Sequence, residues 1–252
     1  MQNHSQKMTL TAGLFLAGAV CAIAQTPSQT TPNAAPPPPR WESTAALGLT
    51  LTKGNSDTLL FTGKLGTQRK APPDEWYFGI DGSYGKDHGD VNNETLHGFG
   101  QYNHLFSDRF YAYLKADGFH DGVADIKYRV TVSPGAGYYF IKNKTTSLSA
   151  EIGPGYIEEK VGGIERGYFT LRLAERFEHR LSDKARIWQS LEYLPKPDDF
   201  GDYLVNGELG VEASLAGNLA LQVYLQDYYN SRPAAGRDAN DLRLVSALAY
   251  KL

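Results

Sequence analysis

From residue 41 to its last residue this chain alternates between apolar and polar side chains. Trp41, Ala45, Leu47, Leu49 and Leu51 share one parity, and Glu42, Thr44, Gly48, Thr50 and Thr52 share the other. Further along, Tyr203, Val205, Leu209, Val211, Ala213 and Leu215 alternate with Asp202, Asn206, Glu208, Gly210, Glu212 and Ser214. A period of two sends successive side chains to opposite faces of a strand, whereas a helix repeats every 3.6 residues. Twelve such segments are predicted, near 41–53, 58–70, 76–86, 94–106, 110–120, 127–141, 146–158, 167–180, 185–195, 202–216, 219–229 and 241–252.

Most of these exceed the usual strand of about 5–6 residues. They suit the roughly 9–11 tilted residues that cross a bilayer as β-structure. Tight connections at 107–109, 142–145, 182–184 and 217–218 alternate with longer ones at 87–93, 159–167, 196–202 and 230–241; 71–75 is the least tidy of the first group. Short turns on one side and longer loops on the other characterise membrane barrels. A soluble barrel or sandwich also alternates, so a secreted β-protein stands as an alternative. Three features favour lipid. Aromatics gather at segment ends: Trp41, Trp76, Phe106, Phe110, Phe140 and Phe177 on one side, and Tyr84, Tyr128, Tyr156, Tyr193, Tyr203 and Tyr229 on the other. An export leader precedes the strands without a later membrane helix. The last segment alternates to its apolar end through Leu242, Leu244, Leu248, Tyr250 and Leu252. The expected fold is all-β: a single antiparallel up-and-down transmembrane β-barrel of about twelve strands. Glu175 and Gln189 carry the lipid-facing parity, which predicts a bulge or an interfacial depth there.

The first 40 residues read differently. Lys7, the apolar run 10–23 and Ala22-Ile23-Ala24 form a signal peptide over 1–24, cleaved before Gln25. The run is too short for a membrane helix. Lipidation of Cys21 is disfavoured because Val20 precedes it, where a small residue is normally needed. A Pro-rich linker follows over 25–40, and the barrel occupies 41–252. The only cysteine, Cys21, leaves with the leader, which excludes disulfides and thiolate chemistry in the mature chain. The formal charge of −3 becomes −4 without Lys7, and no basic block offers a nucleic-acid surface.

The candidate chemistry is sparse. The repeats GAGY and GPGY place Gly135, Gly137, Gly153 and Gly155 on the inner parity. No helix follows them to supply phosphate-binding amides. They read as relief of crowding in the wall. His97, His104, His120 and His179 lie on separate segments without metal-ligand spacing, so neither metal nor cofactor is expected. His97, with Gln101 and Asn103, is the nearest approach to a barrel acyl hydrolase, but no serine is placed beside it. The inner parity collects Lys64, Lys115, Arg129, Arg172, Arg176, Arg186 and Arg243 against Asp81, Asp117, Glu151, Glu192, Glu208 and Glu212. Charges inside a barrel must be hydrated or paired. These therefore line a weakly selective water-filled pore or form a salt-bridged plug.

The opening W-x5-L-G-L-T-L-T-K-G-N-S-D-T from Trp41, the stretch SDRFYAYLKADGFHDGVADIKYRV, and the two G-x-G-Y repeats resemble the YdiY-like family of salt-induced outer-membrane proteins. The resemblance spans about 41–252. It implies a barrel in the outer membrane of a Gram-negative bacterium, with lipids and the barrel assembly machinery as partners. It carries over no reaction, substrate or catalytic residue. Gly54, Asn55, Ser56 and Asp57 mark the family and read as the turn between the first two strands. Replacing Gly54 by Val is expected to lower the yield of folded barrel, measured by heat-modifiable gel migration; an unchanged yield would overturn the turn assignment.

Overall fold

The computed structural model describes residues 40–51 and 58–252. The leader, the linker up to residue 39 and the turn Gly54, Asn55, Ser56 and Asp57 lie outside the described residues. Twelve strands follow in chain order: β1 Glu42–Leu51, β2 Thr58–Ala71, β3 Asp74–Asp87, β4 Asp90–Leu105, β5 Phe110–Asp121, β6 Ile126–Lys142, β7 Thr146–Val161, β8 Ile164–Ser182, β9 Ala185–Lys196, β10 Asp199–Ala216, β11 Leu219–Asn230 and β12 Asn240–Lys251. Each pairs antiparallel with its neighbours in sequence, and β1 pairs with β12, so the sheet closes on itself. Among the described residues the closing seam is short: Thr44 lies opposite Lys251, and Leu47 opposite Leu248. By contrast, β7 and β8 are laddered from Thr146 with His179 to Val161 with Ile164.

Three of the expected longer loops are instead continuous hairpins. The β3–β4 connection shrinks to His88 and Gly89, and the β7–β8 connection to Gly162 and Gly163. All four residues have positive φ, the backbone geometry of tight two-residue turns. The β9–β10 connection likewise closes over 197–198. Beyond the lipid band neither face needs to be apolar. Hydropathy therefore stops alternating there, although the hydrogen-bond ladder continues. The long 231–239 connection behaves differently. Ala234 packs on Ile126 of β6 and Val161 of β7, four to six strands from β11 and β12 around the ring, so this loop crosses the mouth of the barrel.

Polarity is inverted relative to a soluble core. Phe169 is 71% exposed and Leu244 65%, whereas Glu159 and Glu212 are 0% and 2% exposed. Apolar outer residues form a band of the kind that faces lipid in membrane barrels. Aromatic clusters edge it: Trp76 against Tyr102 and Phe106 against Phe110 at the end carrying the termini, and Tyr203 against Tyr193 and Tyr229 at the other. Register runs unbroken through Glu175, opposite Ala150 and Leu191, and through Gln189, opposite Phe177 and Leu209. The expected bulge is not there, and both side chains point outward.

The inner glycines make room for two tyrosines of β5. A Cβ at Gly137 would sit 2.2 Å from the Tyr111 ring, and one at Gly135 would sit 2.5 Å from the Tyr113 hydroxyl. A Cβ at Gly153 would sit 2.1 Å from the Pro134 carbonyl oxygen and 2.9 Å from the same hydroxyl, and one at Gly155 would sit 2.8 Å from the Ser133 Oγ. The tyrosine side chains can approach β6 and β7 closely because the glycines leave no side chain there. Gly137→Val is expected to reduce refolding yield several-fold, with Tyr111→Ala restoring much of it, both measured by heat-modifiable migration.

Candidate functional site

The lumen is the only interior this barrel has, and its chemistry is built by strand parity. The odd positions of β3, β4, β5 and β7 and the even positions of β8 and β9 bring seven groups of alternating charge into one chain. Asp81 Oδ1 accepts from His97 Nδ1 at 3.0 Å, and His97 Nε2 faces Asp117 Oδ2 at 2.8 Å. Asp117 lies 3.6 Å from Lys115 Nζ, which donates to Glu192 Oε1 at 2.8 Å. Arg172 donates through Nε to the same Glu192 oxygen at 2.5 Å and through Nη1 to Glu151 at 2.8 Å. Gln101, Tyr111 and Asn206 fill remaining acceptor positions on the two glutamates. A carboxylate on each ring nitrogen of His97 is satisfied only if both nitrogens carry protons, so the ring acts as a cation in this ladder.

Several contacts cross the lumen. Lys115 on β5 reaches Glu192 on β9. Lys64 on β2 reaches Glu208 on β10 at 2.8 Å, where Trp188 and Gln226 also donate. Arg243 on β12 donates to Ser83 of β3 and Thr95 of β4 at 2.8 and 2.7 Å. Phe119 of β5 stacks on Tyr228 of β11 with ring centroids 5.0 Å apart. Those two strands stand six apart in a ring of twelve, on opposite walls.

The other expected lumen charges form local clusters. Arg129 Nε donates to Glu159 at 2.5 Å, and Arg186 Nη2 to Glu212 at 3.0 Å. Arg176 forms no ion pair among the described residues and lies over the Tyr77 ring at 5.6 Å. Sequence reasoning missed Glu159 and Glu75. Glu159 receives Arg129, Arg166 and Tyr168, and Glu75 receives Tyr77, Tyr139 and Lys142. Both had been assigned to connections, yet Glu159 shares parity with Glu151 and Glu75 with Asp81. Extending the alternation outward would have found them. Beyond the band, at the β7–β8 hairpin, Lys160 donates to Glu165 at 2.9 Å, which lowers the pKa of the carboxyl group and raises that of the ammonium group.

The histidines remain apart. His104 faces outward beside Asp74, and His179 bonds Thr146. Among the described residues no three His, Cys, Asp or Glu side chains are arranged to hold a metal.

A closed ring of twelve antiparallel strands, apolar outside and charged within, defines a membrane-spanning β-barrel of the outer-membrane type. Residues 45–252 match the family described as a protein of unknown function, DUF481, and the chain belongs to that family. The YdiY-like resemblance carried by its motifs covers about 41–252, nearly the same span. Among solved structures, the NanC porin is similar with a TM-score of 0.52 at 7% identity, over 84% of this chain and 100% of that one. An outer-membrane channel from Pseudomonas putida F1 is similar with a TM-score of 0.50 at 9% identity, over 89% and 100%. At such identities the likeness concerns the fold. Comparison with curated proteins finds no match.

Glu192 neutralises two cations that have little access to water, with Lys115 and Arg172 side chains 13% and 3% exposed. Glu192→Gln would leave both undercompensated. It is expected to destabilise the barrel by about 3–5 kcal/mol, the usual result of breaking a buried pair, measured by urea unfolding in lipid vesicles.

Proposed function

We propose that this protein is a non-enzymatic barrel of the Gram-negative outer membrane. In this reading its lumen is a narrow, weakly selective conduit that is closed at rest. The observation that carries the closed state is the Phe119–Tyr228 stack between opposite walls, level with a lumen already crossed by ion pairs. The charged lining supports a conduit rather than a solid strut. Buried ion pairs stabilise no better than well-packed apolar side chains of similar volume, so a purely mechanical wall gains nothing by keeping them. Near balance of the charges fits weak ion selectivity. The two similar structures are named a porin and an outer-membrane channel, which accords with the same reading. The apolar outer band supplies the contact with lipid, and the barrel assembly machinery is the expected partner in biogenesis. His97 does not fit an acyl hydrolase, because both ring nitrogens are engaged by carboxylates and none is free to activate a nucleophile.

Planar-bilayer recording tests this. The wild-type barrel is expected to stay mostly silent, and the Phe119→Ala/Tyr228→Ala double variant to open discrete conductance steps with little cation–anion preference. A double variant that folds with heat-modifiable migration yet remains silent across a range of salts would overturn the conduit. It would favour a structural envelope role, the reading otherwise supported by the crossed lumen.

A further inference from the structure

Glu175 and Gln189 are out of place on the outer wall. Each is flanked along its strand by outward apolar residues, Leu173 and Phe177 for the glutamate, and Ile187 and Leu191 for the glutamine. They are diagonal neighbours across the β8–β9 ladder, where Glu175 opposes Leu191 and Phe177 opposes Gln189. Both are half-buried. Among the described residues neither has a hydrogen-bond or ion-pair partner. Two outward carboxylates nearer strand ends do find partners, Asp74 with Tyr102 and His104, and Glu158 with Tyr156, whereas outward Asp227 of β11 leaves one oxygen unpaired. The strands cannot rotate to bury the pair, because their inner positions hold Arg172, Glu192 and Trp188 in the lumen network. The pair lies level with Phe177, one of the aromatics at the strand ends, and polar side chains that persist within a membrane pair with something.

We infer that the outer face of β8 and β9 is a two-fold interface with a second copy of this chain. In it, the Glu175 carboxyl of each copy accepts from the Gln189 amide of the other. Complementarity identifies the occupant. A two-fold axis along the barrel, passing between β8 and β9, brings β8 of one copy against β9 of the other. The acceptor then meets the donor twice over, as an isologous interface requires. Interhelical amide and carboxyl bonds act in the same way between membrane helices. Leu173, Leu191 and Phe177 supply the apolar surround. The inference needs the membrane-spanning barrel but is independent of whether the lumen conducts.

Oxidative crosslinking of Leu191→Cys in a Cys21→Ser background, in native outer membranes, reads the interface directly, since Leu191 lies opposite Glu175 beside the axis. The expected result is a disulfide-linked dimer, with Ile80→Cys on the far wall linking about tenfold less. Adding Glu175→Leu and Gln189→Leu is expected to cut the Leu191→Cys dimer by about tenfold while heat-modifiable migration is retained. Absence of dimer in a heat-modifiable parent, equal linking from both walls, a dimer unaffected by the double substitution, or linkage to a different protein would each overturn the inference. A parent that does not need detergent for extraction would overturn the membrane reading itself.

Discussion

Hydrocarbon offers no hydrogen bonds to a backbone, and this single fact organises the molecule. A β-chain in lipid must pair every amide and carbonyl with another strand, so the sheet has to close. Closure divides each strand between two solvents, lipid without and an enclosed lumen within. Every polar side chain needed for solubility in a soluble protein would otherwise face the wrong way. Here the charges are gathered inside and left to satisfy one another. The lumen network thus follows from closure as much as from any functional demand.

The resulting interior resembles neither an oily core nor open water. Asp81, His97, Asp117, Lys115, Glu192, Arg172 and Glu151 alternate in sign, so each charge has the opposite sign beside it. Such a chain depends strongly on geometry: a misplaced wall would separate ions that have little water to fall back on. The tyrosines of β5 and the glycines beneath them serve that geometry by packing one side of the lumen tightly. The opposite wall supplies Tyr228 to meet Phe119.

Much of this was legible in the sequence. The period of two placed all twelve strands within a few residues, and it put Lys64, Glu192 and Arg243 on the inner parity. Partners were not legible. Lys115 and Glu192 are separated by 77 positions, and parity says which way a side chain points without saying what it meets across a lumen. The Phe119–Tyr228 contact escaped for the same reason. Glu75 and Glu159 escaped because hydropathy alternates only where lipid is present, so strands that continue past the band look like loops. Glu175 and Gln189 stand out in the alternation, for which a bulge or an interfacial depth is expected; the unbroken register removes the bulge.

The seam between β1 and β12 has a mechanical meaning. Among the described residues its ladder runs from Thr44 and Lys251 to Leu47 and Leu248, while the neighbouring hairpins are stitched along most of their length. Under heat or lateral tension a closed sheet parts where the fewest bonds must break together. On the described residues the weakest line of this cylinder is the one that joins the first strand of the chain to the last.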